Sequence, residues 1–129
     1  MATGLSVGEA NKILAAIARG VNYTAPTAYW VQLHIGDPGG AGTANIAGNG
    51  VRKQVTFATE TGGTISNSAV VSWTASDVDT TESYGYYTAW TLASGGTFIH
   101  SGQASGSVTA GDQFQLPIGS IDLALPVAS

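Results

Sequence analysis

Along the first twenty positions the apolar residues recur at helical spacing, with Ala10, Ile13, Leu14 and Ile17 on one face. Ser6 followed by Glu9 reads as a capping box: the Ser6 hydroxyl accepts from the Glu9 amide while the Glu9 carboxylate reaches back to the Ser6 amide. Leu5 and Ala10 occupy the flanking staple positions, and Gly20 after Arg19 is a C-terminal stop with a cation in the last turn. The spacing predicts a helix over about residues 7–19. Its apolar stripe is narrow and the helix short, so it is expected to dock on something.

From residue 28 the period changes to two. Tyr29, Val31, Leu33 and Ile35 alternate with Trp30, Gln32 and His34, the pattern of a strand with two different faces. A glycine-rich loop over residues 36–50 follows; it is long for a hairpin and is expected to be mobile or moulded by a neighbour. A second strand over about 52–58 places Val55 and Phe57 inward, the segment 61–63 turns, and a strand near 70–74 puts Val71 and Trp73 on one side. Residues 75–83 read as a polar surface connection, 84–92 as an aromatic strand, 93–96 as a hairpin turn and 97–103 as its antiparallel return. After a turn at 109–112, Phe114, Leu116 and Ile118, then Ile121, Leu123 and Leu125, mark two last strands.

These elements predict a mainly β protein: an antiparallel β-sandwich, jelly-roll-like or immunoglobulin-like, with one short N-terminal helix. The length suits one domain, in which residues 1–27 form the N-terminal helix and connector and residues 28–129 the β-sandwich.

Composition narrows the function. Only four Lys and Arg residues, at positions 12, 19, 52 and 53, give no basic footprint for nucleic acid, and the net charge is −4. With no Cys there is no disulfide framework, thiolate cluster or cysteine nucleophile. No apolar run approaches the roughly 20 residues that cross a bilayer, and no signal-peptide pattern is visible, so a soluble protein with no membrane partner is expected.

Candidate chemistry is sparse. His34 and His100 lie on different predicted strands, and the GxSxG nucleophile signature is missing. The run Gly36-Asp37-Pro38-Gly39-Gly40-Ala41-Gly42-Thr43 resembles a phosphate cradle but lacks the lysine and the following helix, whereas a turn explains Asp37-Pro38-Gly39. Asp77, Asp79 and Glu82 are the best cation candidate, although the glycine and distal glutamate of a calcium loop are missing and a solvated acidic loop accounts for them. Trp30, Trp73, Tyr84, Tyr86, Tyr87 and Trp90 suit either a carbohydrate groove or core anchors, and the consecutive Tyr86 and Tyr87 must point to opposite faces. Neither catalytic activity nor a cofactor is expected.

The runs AYWVQLHIGDPGGAGTAN (28–45), RKQVTFA (52–58), GGTISNSAVVSW (62–73), AWTLASGGTFIHSG (89–102) and VTAGDQFQLPIGSIDLAL (108–125), with GLSVGEANKIL (4–14), resemble a family of small virion structural proteins from tailed phages of actinobacteria. LHIGDPGGAGTAN and the VTAGD turn are the most specific parts. Members are labelled tail-fibre or minor tail proteins, and similar domains decorate capsids. The resemblance implies a non-enzymatic virion protein assembled in the bacterial host cytoplasm. Capsid decoration in contact with the major capsid protein, as a homo-oligomer with a trimer favoured, is the first expectation. A minor tail or tail-fibre accessory protein that touches the host surface is the alternative, and a carbohydrate-binding module a second one. Partner contacts are expected on the helix, the 36–50 loop and the adjacent cations, with Leu5, Ile13, Ile17, Asp37, Asn45, Arg52, Lys53 and Tyr86 as candidate residues.

Overall fold

The alternation after residue 28 does build a strand, but one covered on both faces: Val31 and Leu33 on one side and Gln32 and His34 on the other are all buried. Such a strand must be central. A computed structural model describes residues 3–128, so positions 1, 2 and 129 of the two expected segments lie outside the described residues. The elements run β1 (Gly4–Leu5), α1 (Val7–Arg19), β2 (Trp30–His34), β3 (Lys53–Gln54), β4 (Thr64–Ser66), β5 (Val71–Trp73), β6 (Glu82–Trp90), β7 (Phe98–Val108), β8 (Phe114–Leu116) and β9 (Asp122–Ala124). An antiparallel five-stranded sheet has the order β1-β7-β6-β2-β3, and β4-β9 and β5-β8 form two further antiparallel ribbons.

Register decides which side chains share a face. Leu33 opposes Tyr87, which opposes Gly102; Val31, Ala89, His100 and Leu5 form the next row. This face meets the two ribbons in one apolar core containing Val31, Leu33, Tyr87, Trp73, Phe114 and Ile121. Gly102 is required there because the Tyr87 ring lies where a Cβ would stand. The expected mainly β, antiparallel architecture with one short helix is what forms. Its second layer is divided into two ribbons, and Gly119, at positive φ, lies in the connection from β8 of one to β9 of the other.

The other face carries Gln32, Thr88 and Ser101 in one row and His34, Tyr86 and Gln103 in the next. Its cover is the chain's own 36–50 loop. Pro38, Gly42, Ala47 and Asn49 are buried, the Ala47 amide donates to Leu33 O at 3.1 Å, and the His34 ring bridges Ala44 O and Thr88 Oγ1 at 2.8 Å each. Gly42 lies so close to the Phe98 ring that a Cβ would stand 2.8 Å from it. The loop expected to be mobile or moulded by a neighbour is therefore moulded by its own sheet, because its small residues admit that close approach.

α1 has the expected bounds and caps: the Glu9 amide donates to Ser6 Oγ at 3.1 Å, and Gly20 is left-handed at φ 66°. Only half of the capping box forms. The Ser6 amide donates instead to Ile99 O at 2.8 Å, which ties the helix start to β7, and the Glu9 carboxylate accepts from Lys12 Nζ at 3.1 Å and Tyr23 Oη at 2.6 Å.

Candidate partner-binding surface

Both histidines face inward. His100, 1% exposed, sits between two tyrosine hydroxyls: Tyr29 Oη is 2.6 Å from Nδ1 and Tyr87 Oη is 3.1 Å from Nε2. Burial lowers its pKa from 6.5 to about 4 and raises that of Tyr87, so both groups are neutral near pH 7. Both imidazole nitrogens are engaged. His34 lies on the opposite face of the sheet and is also shifted down, chiefly by burial. The two histidines do not converge. A cleft of about 500 Å³ runs between β1, β7 and the β9 segment, bordered by Leu5, Gln103, Asp122 and Leu125, with Tyr87 and His100 in its wall.

The three carboxylates considered for a cation go to three different structural tasks. Asp77 caps the Thr74 amide at 2.9 Å and pairs with Lys53 at 2.8 Å; the Lys53 contact first, then the Thr74 bonds, pull its pKa down to about 2. Asp79 accepts from the Thr80 hydroxyl at 3.0 Å. Glu82 accepts the amides of Gly48 and Asn49 at 2.9 Å each and the Tyr84 hydroxyl at 3.0 Å. Among the described residues no three His, Asp or Glu side chains gather as metal ligands.

Two buried asparagines organise these connections. Asn49 Oδ1 accepts the Asp79 and Thr80 amides at 3.0 Å each, and Nδ2 donates to Thr80 O at 2.9 Å and Tyr84 Oη at 2.6 Å. Asn67 Oδ1 accepts the Ile121 amide at 3.0 Å while Nδ2 donates to Ala69 O and Pro117 O. Neither stood out in the sequence. The one available signal was an Asn between glycines at Gly48-Asn49-Gly50, which reads equally well as a turn.

The eight candidate contact residues fall in separate places. Leu5, half-buried, pairs with His100 at the sheet edge; Ile13 is half-buried on α1 and Ile17 is 76% exposed. Asp37 and Asn45 hold the loop base together: Asp37 Oδ1 accepts the Gly39 amide at 2.8 Å, and Asn45 Nδ2 donates to Asp37 O at 2.8 Å from a backbone with φ 55°. Arg52 lies 4.4 Å over the Trp90 ring and donates to Leu92 O at 2.8 Å and Gly95 O at 2.7 Å, clamping the β6-β7 turn. Lys53 is paired with Asp77. Tyr86 and Tyr87 do point to opposite faces, Tyr87 fully buried and Tyr86 half-buried beside His34 in the register. Of the aromatics considered for a sugar groove, Trp73, Tyr84, Tyr87 and Trp90 are buried. Exposed apolar side chains are scattered over the surface, at Ile35, Leu92, Ile118 and Val127 among others, and α1 adds Val7, Leu14 and Ile17.

The sequence matches the family model described as podophage GP4 fiber I protein gp80 over residues 4–124, and the chain belongs to that family. It is thus a phage structural protein of the tail-fibre type, and the tail alternative gains over the first expectation of capsid decoration. None of the curated proteins matches the sequence. No helix among the described residues is long and apolar enough to cross a membrane.

Proposed function

We propose that the protein is a non-catalytic structural unit of a tail fibre or tail accessory, working as a homo-oligomer bound to other tail proteins and presented toward the host surface. The family match over residues 4–124 carries this reading. The chemistry of the interior supports it: His100 is neutral with both ring nitrogens engaged, and Glu82, Asp77 and Arg52 are committed to backbone groups of their own chain. A rigid scaffold of that kind transmits position and force without moving chemistry. Actinobacteria are the host group that the sequence resemblance implies.

Immunogold electron microscopy of purified particles, paired with copy-number measurement by quantitative mass spectrometry, tests the proposal. Label confined to the tail, with a few to tens of copies per particle, is expected. Label spread over the head at a copy number comparable to the major capsid protein would overturn it in favour of decoration.

A further inference from the structure

The solvent side of a helix on a globular protein is ordinarily polar; that of α1 carries three large apolar residues beside Asn11, Lys12 and Arg19. Val7, Leu14 and Ile17 are 73%, 61% and 76% exposed, and Val21, just past the C-cap, is 47% exposed. With Ala10 they occupy positions 7, 10, 14, 17 and 21, steps of three and four in alternation. Within the helix, positions 7, 10, 14 and 17 follow the 3.5-residue repeat of a coiled-coil seam, with Val7 and Leu14 at a and the half-buried Ala10 and exposed Ile17 at d; Val21 lies beyond the left-handed Gly20. A different stripe of the same helix is covered by the protein's own chain: Glu9 is buried and bonded to Tyr23, and Ile13 and Ala16 are half-buried, at spacing i, i+4, i+7. The two stripes are adjacent, one used by the fold and one left open.

The residues on the open stripe specify what covers it. In a cyclic assembly of identical parallel helices each seam residue meets its own copy, so any charge there would face its like. Here the e and g flanks within the helix are Asn11, Ala18 and Ile13, and none is charged. The helix charges Glu9, Lys12 and Arg19 fall at c and f, and Glu9 and Lys12 are already paired with each other at 3.1 Å. Leu at a followed by Ile at d favours three or four strands over two, and the exposed Ala18 widens the apolar face in the same direction. We infer that α1 is the self-association seam of this protein, through which three or more copies bundle their helices in parallel about a common axis. The inference rests on the fibre reading only for the premise that the protein works as a multimer. A helix of 13 residues, under two heptads, is short for a stable bundle, so association depends on concentration. It also strengthens with salt, because the seam is apolar while each copy brings a net charge of −4.

Sedimentation velocity on the full chain from micromolar to near-millimolar concentration reads this directly. The expected result is a monomer passing to a trimer or tetramer, shifted to lower concentration by added salt. Leu14→Lys and Ile17→Lys should each raise the concentration for half-assembly at least tenfold, whereas Ile118→Lys, at an apolar position 63% exposed elsewhere, should leave it unchanged. Circular dichroism checks that all three remain folded. The chain has no cysteine, so single probes are clean: oxidation should cross-link Leu14→Cys and not Arg19→Cys, which sits at f. A wild-type monomer at every concentration, assembly insensitive to both helix lysines, or equal cross-linking at positions 14 and 19 would overturn the inference. These outcomes are separable from the fibre reading. A monomeric chain found on the tail defeats the seam alone, and an assembling chain found on the head defeats the fibre reading alone.

Discussion

The long loop over residues 36–50 and the helix α1 both stand outside the main sheet ladder, and they treat their surfaces in opposite ways. The loop, rich in glycine and polar residues, buries Pro38, Gly42, Ala47 and Asn49 and forms the cover of one sheet face. The helix, with the more apolar pattern, buries a carboxylate, Glu9, and exposes Val7, Leu14 and Ile17. Polarity alone does not assign a segment to the core. A polar group enters at little cost once every hydrogen bond is supplied, as Glu82 and Asn49 supply them for each other's segments, and an apolar residue stays outside when no strand or loop is placed to meet it.

Breaking the loop should cost most. Asn49→Ala removes a 2%-exposed side chain with four hydrogen bonds, and should destabilise the protein by about 3–4 kcal/mol in urea unfolding, since buried amides are left without partners. Acid should act nearly as strongly through the histidines. The folded pKa of His100 lies near 4, below its ordinary 6.5, so the unfolded chain binds the proton first. Stability from this group is complete above about pH 6.5 and falls as pH drops toward about 4, by about 3 kcal/mol in all. His34, also shifted down, adds to the loss in the same direction. Asp77 titrates lower, near 2, and leaves that window to the histidines. Urea midpoints across pH 4–7 should show the slope, and His100→Gln should flatten it.

Smaller effects sharpen the contrast. Gly42→Ala places a methyl against the Phe98 ring at a φ of 72° and should cost about 2 kcal/mol by thermal unfolding. Arg52→Lys keeps the charge but loses the planar stack on Trp90 and the paired bonds to the β6-β7 turn, for about 1 kcal/mol. Ile17→Ser on the helix should change the stability of the monomer by less than about 0.5 kcal/mol. A large loss there in dilute solution would mean that the stripe is covered within a single chain.

What was legible in the sequence was local. The Ser6 cap, the Gly20 stop, the 93–96 hairpin turn and the alternation that buries Val71 and Trp73 all act within a few residues, and the structure reproduces them. What escaped was long-range. Gly48 meets Glu82 across 34 positions and Asn67 meets Ile121 across 54, and no spacing rule joins them. The strand β4 was hidden because Gly62 and Gly63 precede it and it is only three residues long. Half of the capping box was lost for a similar reason: Ile99 competes for the Ser6 amide from the far end of the chain. Among the candidate contacts, the cations drew notice as charges, yet their partners Trp90, Leu92, Gly95 and Asp77 are brought to them only by the fold.

Residue-resolved amide hydrogen exchange by NMR on the full chain tests the opposition of loop and helix most directly. The amides of Ala47, Gly48 and Asn49, bonded to Leu33 and Glu82, should exchange as slowly as those of the central strand β2, all opening with the global unfolding of the sheet. Exchange of these amides at the rate of freely solvated backbone, with β2 still protected, would show that the loop does not belong to the core and would contradict the account.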